Sequence, residues 1–131
     1  MILDCYKILK QMERKPAMWV GENTLKAIHL YISGYYHALL DEGVVTAAHT
    51  DEPFFDWVAD KLGYFESTAG WVNMIVAESM GFESKNISWE EVFETPTTKE
   101  QHSISINRFY ELLEEFKKEM EEQSITKPKL H

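Results

Sequence analysis

Leu25-Lys26-Ala27-Ile28-His29-Leu30-Tyr31-Ile32-Ser33-Gly34-Tyr35-Tyr36-His37-Ala38-Leu39 is the stretch whose reading decides the fold class. Leu25, Ile28, Ile32, Tyr35 and Leu39 recur at steps of 3, 4, 3 and 4. On a helix of 3.6 residues per turn those five side chains share one face. Tyr31 and Ala38 widen the face, Asn23 just ahead is a candidate N-cap, and Gly43 is a stop. The pattern predicts a helix over residues 25–42. Gly34 in its middle costs up to ~1 kcal/mol relative to alanine, which close packing against a neighbouring helix or the Trp19 loop would explain.

The same period appears on both sides. Leu3, Tyr6, Ile8, Leu9 and Met12 give an apolar face to a first helix over residues 2–14, which Pro16 breaks before Gly21 lets the chain turn. Asp51 is the expected cap of a third helix, with Pro53 in its first turn and Phe54, Trp57, Val58 and Leu62 inward until Gly63. Ser67 or Thr68 opens a fourth, with Trp71, Val72, Ile75, Val76 and Met80 recurring until Gly81. Ser88 begins a short turn, Trp89-Glu90-Glu91-Val92-Phe93, which Pro96 closes. The last helix is expected over residues 103–122, with Ile106, Phe109, Leu113, Phe116 and Met120 again at 3, 4, 3 and 4. Val44-Val45-Thr46 and Ile104-Ser105-Ile106 are short strand-like runs that leave room for a minor hairpin. The expectation is an all-α, single compact domain of about five helices over residues 1–123, followed by a mobile tail over 124–131.

Size and composition agree with one packed domain. The chain has 131 residues, 44% hydrophobic and 13% aromatic, enough to form a core. Thirteen basic against 22 acidic residues give a net charge of −9. A field of that sign repels nucleic acid and acidic membranes and attracts basic partners. A single cysteine, Cys5, precludes an intramolecular disulfide. The first residues lack the basic start and long apolar run of a secretory signal, and no stretch reaches the ~18 apolar residues of a membrane span. A cytoplasmic location is therefore expected.

Few residues invite chemistry. His29, Ser33, His37 and Asp41 lie at i, i+4 steps along the second helix. His29 and His37 are two turns apart, roughly 12 Å, too far to share an ion. His37 with Asp41 lacks a third ligand, so no metal or other cofactor is expected and the stripe reads as solvated or facing an interface. Cys5 sits in an amphipathic helix with no protease signature around it, and no nucleophile elbow, zinc-protease motif or phosphate loop occurs, so no catalytic residue is assigned. Trp57 and Trp71 read as core anchors. Two acidic clusters remain. Glu111, Glu114, Glu115, Glu119, Glu121 and Glu122 sit on the last helix beside Lys117 and Lys118, whereas Asp51, Glu52, Asp56 and Asp60 have only Lys61 near them. The second group is the stronger candidate for a surface that meets a basic partner.

The block Arg14-Lys15-Pro16-Ala17-Met18-Trp19-Val20-Gly21 resembles one in the ATP-binding module of DNA gyrase B subunits. The catalytic Glu and magnesium-holding Asn that this resemblance implies have no counterpart in residues 3–12 or 25–42, and the glycine loops are missing. A second resemblance covers most of the chain through the order of short motifs. These are the same block, then Gly34-Tyr35, Phe54-Phe55-Asp56-Trp57-Val58, Gly70-Trp71-Val72-Asn73-Met74-Ile75, and residues 109–116. It is similar to the small helical immunity proteins of bacterial polymorphic-toxin loci, although Ala17 stands where many of them have Gly. The resemblance implies no catalytic residues. It implies a protein partner, such as a basic nuclease toxin, blocked by an acidic surface. The alternative is an enzyme or small-ligand module with an unfamiliar site between the second and third helices. Monomer and dimer are equally compatible with the sequence.

Overall fold

The computed structural model describes residues 1–46, 53–65 and 69–126. Among them the chain is all-helical, with seven α-helices, two 3-10 turns and no strand. Residues 44 and 45 form a bend, and 104–106 lie inside the last helix, so neither strand-like run forms a hairpin among the described residues.

The first segment divides where the sequence suggested one helix. A 3-10 turn over Ile2–Cys5 leads into α1, Tyr6–Met12. Pro16 then does more than end a helix. It occupies the first position of a new short one, α2, Pro16–Val20, where its missing N–H would have had no partner anyway. Gly21 closes α2 at φ +90°, a left-handed conformation that glycine adopts without a Cβ penalty. The cap of the next helix is Thr24, whose Oγ1 accepts from the Ala27 amide at 3.2 Å. Asn23, expected in that role, instead accepts from the Ala17 amide of α2 at 3.1 Å.

Helix α3 runs Leu25–Asp41 and α4 Pro53–Leu62. Helix α5, Trp71–Ser79, begins at Gly70; Asp51, Ser67 and Thr68, read as caps, lie outside the described residues. Helix α6, Trp89–Glu94, is capped by Ser88 as expected. Helix α7, Lys99–Thr126, starts earlier than the apolar stripe implies because Thr98 and Gln101 bond each other's amides. This Thr-x-x-Gln capping box satisfies two amides that would otherwise lack partners. At 28 residues α7 is about 42 Å long. It continues to Thr126, past the expected start of the tail; residues 127–131 lie outside the described residues.

Helix α7 is the spine. Ile106, Phe109, Leu112, Leu113 and Phe116 are buried on one side of it, with α5 packed along it and α4 against both. Aromatic rings fill the junction. Phe54 of α4 meets Trp71 of α5 and Phe109 and Phe116 of α7 edge-on, at centroid distances of 5.3, 6.1 and 5.1 Å. Trp71 stacks on Phe109 at 5.2 Å. Edge-to-face and offset stacks suit the charge distribution of the rings and add ~0.5–1.5 kcal/mol per pair to the gain from burial. Tyr110 ties the first segment on, its hydroxyl donating to the Leu9 carbonyl at 2.6 Å.

The stripe on α3 holds for half its length. Leu25, Ile28 and Ile32 are fully buried, but the next side chain packed against the core is the partly buried Tyr36 rather than Tyr35, which is 36% exposed. A straight helix drifts from a strict 3.5-residue repeat, so a 3-4-3-4 reading rotates off the true contact face within two turns. Gly34 is exposed, and a Cβ built there meets no atom within 4 Å. Close packing therefore does not explain this glycine, contrary to the sequence expectation. No helix among the described residues is long and apolar enough to cross a membrane.

Candidate functional site

Helix α4 sorts its side chains sharply. Phe54 and Val58 point into the core. At 100° per residue Asp56 and Asp60 fall on the opposite side, and both are exposed. The other two residues of the expected acidic surface, Asp51 and Glu52, lie outside the described residues. Lys61, the one nearby cation in the sequence, turns away. Its ammonium sits 3.7 Å from Glu119 and 3.9 Å from Glu115 on α7, 5.3 Å above the Trp57 ring.

The carboxylates of α7 behave differently. Glu114 accepts from the Tyr6 hydroxyl at 2.7 Å and pairs with Lys10 at 3.1 Å. Burial alone would raise the Glu114 pKa, but these donors and the charges of Lys10 and Lys117 hold it below its ordinary value. Glu119 also accepts from the Trp57 indole at 3.0 Å. Arg108 bridges Glu78 of α5 at 2.8 Å and Glu111 at 3.4 Å, and Lys117 pairs with Glu121. Exposed pairs of this kind contribute little individually. On α7, Glu114 thus reaches α1 and Glu115 and Glu119 reach α4, while the link to α5 is made by Arg108.

The polar stripe of α3 separates into two parts. His29 is half-buried, its ring edge-on to Trp71 at 4.9 Å, and burial lowers its pKa. It is therefore a lining residue of the fold rather than a solvated one, whereas His37 is exposed. Cys5 is fully buried, with its thiol 3.7 Å from the Ile32 carbonyl. Among the described residues no three His, Cys, Asp or Glu side chains converge as metal ligands.

A cavity of about 580 Å³ opens between α3 and α4, against the start of α5. Lys26, His29 and Leu30 come from α3, Phe55 from α4, residues 69–73 from the entry and first turn of α5, and Phe93 from α6; Met1 completes the lining. Leu30 and Phe93 are each 62% exposed. Neither was marked by its sequence position. Leu30 lies off the α3 stripe and Phe55 off the inward face of α4, and large apolar residues off a core stripe are the signal that could have found this place. Gly70 makes the entry possible. It sits at φ +86°, and a Cβ there would lie 3.9 Å from the Phe55 ring. An L-residue would thus be strained by the backbone rather than by crowding.

No protein-family model, curated protein or solved structure matches this chain.

Proposed function

We propose that this chain is a non-enzymatic binding protein that neutralises a basic protein toxin in the cytoplasm, in the manner of an immunity protein. The observation that carries the reading is the position of Asp56 and Asp60, both exposed on the side of α4 that faces away from the core, with the nearby Lys61 ammonium 3.7 Å from Glu119 of α7. Like charges one turn apart gain nothing for the helix and favour a cation across an interface. The net charge of −9 adds long-range attraction for a basic partner and speeds encounter.

The test begins by copurifying the tagged protein with the product of its neighbouring gene. Association is then measured at low and moderate salt. Replacing Asp56 and Asp60 with lysine should slow association, reduce its salt dependence and weaken binding by about 2 kcal/mol or more. Folding stability should change by less than about 0.5 kcal/mol per site. Unchanged affinity and salt dependence would remove this face from the interface. A second reading, a small-ligand module, is favoured by the cavity between α3 and α4.

A further inference from the structure

The cavity beside α5 differs in charge from the rest of the molecule. Acids outnumber bases 22 to 13 in the chain, yet among the described residues no carboxylate lines this cavity. An adjoining depression that shares Lys26 and Leu30 includes Glu22, and depressions farther off include Glu100 or Glu13. The polar side chains here are Lys26, His29 and Asn73, and the lining residue Met1 carries the N-terminal ammonium, 3.5 Å from Asp4. None of the ion pairs among the described residues uses Lys26.

The walls are apolar, with Phe55, Trp71, Val72 and Leu30 among them. Trp71 is fixed from behind by Phe109 and Phe54, so the wall it presents is rigid. The first turn of α5 adds donors. Trp71, Val72 and Asn73 line the cavity, and among the described residues no side chain caps the helix at Gly70. Their amides have no acceptor within the helix, and the terminus carries partial positive charge. Donors alone would suit any anion. Set into aromatic walls, in a volume within the ~300–1,000 Å³ typical of small-molecule sites, they suit a ligand with one acidic end and a hydrocarbon body.

We propose that this cavity binds a small apolar anion, an aromatic or branched aliphatic carboxylate or sulfonate. Its hydrocarbon part lies against Phe55, Trp71 and Leu30, and its acid group lies between the Lys26 ammonium and the first-turn amides of α5. The site is separate from the outward acidic ridge of α4 and does not depend on it. A cationic ligand would find no carboxylate among the described lining residues. A neutral one would leave the lysine without a role in affinity.

The probe pair is anilinonaphthalene sulfonate and phenylnaphthylamine, which share their rings and differ by the sulfonate. Both are titrated by fluorescence and calorimetry into the full chain and into Lys26→Met, Leu30→Trp and, as a remote control, Lys118→Met. Circular dichroism and melting verify that each variant is folded. The sulfonate should bind at a single site. Lys26→Met should weaken it roughly tenfold while changing the neutral dye less than about twofold. Leu30→Trp, which fills the mouth, should weaken both dyes, and Lys118→Met neither. Phenylbutyrate should displace the sulfonate competitively. Equal loss on Lys26→Met and Lys118→Met, wild-type binding by Leu30→Trp, or the same Lys26→Met effect on both dyes would overturn the proposal.

Discussion

Removing one oxygen atom from Tyr110 should cost more stability than almost any conservative change on the surface. The Tyr110 hydroxyl donates to the Leu9 carbonyl at 2.6 Å; Tyr110 is 4% exposed and Leu9 fully buried. Leu9 is among the last four residues of α1, whose carbonyls have no donor within the helix. In Tyr110→Phe the ring keeps its place, 5.1 Å from Phe109 and edge-on to it, so packing is conserved. What is lost is a hydrogen bond of net ~1 kcal/mol together with the cost of a buried acceptor without its partner, ~1–3 kcal/mol. We expect a loss of about 2 kcal/mol. For a chain of this size that corresponds to about 8 °C in Tm, at roughly 4 °C per kcal/mol. Urea titration followed by circular dichroism should show a lower midpoint with the same slope, since the surface exposed on unfolding is unchanged. Tyr6→Phe is the control, because its hydroxyl bonds Glu114 in an exposed setting and should matter by less than about 1 kcal/mol. If Tyr110→Phe lies within about 0.5 kcal/mol of wild type, or loses no more than Tyr6→Phe, the Leu9–Tyr110 bond does not hold the first segment.

Gly34→Ala should stabilise the protein by about 0.5–1 kcal/mol, because the position is exposed, mid-helix and open; a lower urea midpoint would refute that account. His29 gives a pH dependence of definite sign. Burial depresses its folded pKa below the ordinary 6.5, so the unfolded chain takes up the proton first and stability falls as pH drops from 6.5 through the folded value. His29→Gln should flatten urea midpoints across that interval, and an unchanged slope would mean that the burial is not felt.

The helices were legible where one side of the period was filled by large apolar residues, as at Phe54 and Val58 or Phe109 and Phe116. Starts were legible where a single short polar residue preceded the period, as at Ser88. The start of α7 was missed because its first turn, Lys99-Glu100-Gln101, has no apolar residue and its signal was the Thr98–Gln101 box. At Asn23-Thr24 two capping residues stood side by side, and only the approach of α2 decides that Thr24 caps α3. Of the expected surface, Asp56 and Asp60 are exposed on one ridge as their spacing implied. The withdrawal of Lys61 was not legible, since it depends on α7 lying beside α4. The cavity was invisible for the same reason: its walls come from four helices, and no local period marks residues that share a void.

The joining of α1 to α7 also sets a timetable for synthesis. Leu9 and Tyr110 are 101 residues apart, so at ~5–20 residues per second the acceptor is made about 5–20 s before its donor. Helix α1 is seven residues long and cannot be stable alone. Ile2, Cys5, Leu9 and Met12, all buried in the finished fold, therefore cannot complete their packing until α7 has been made.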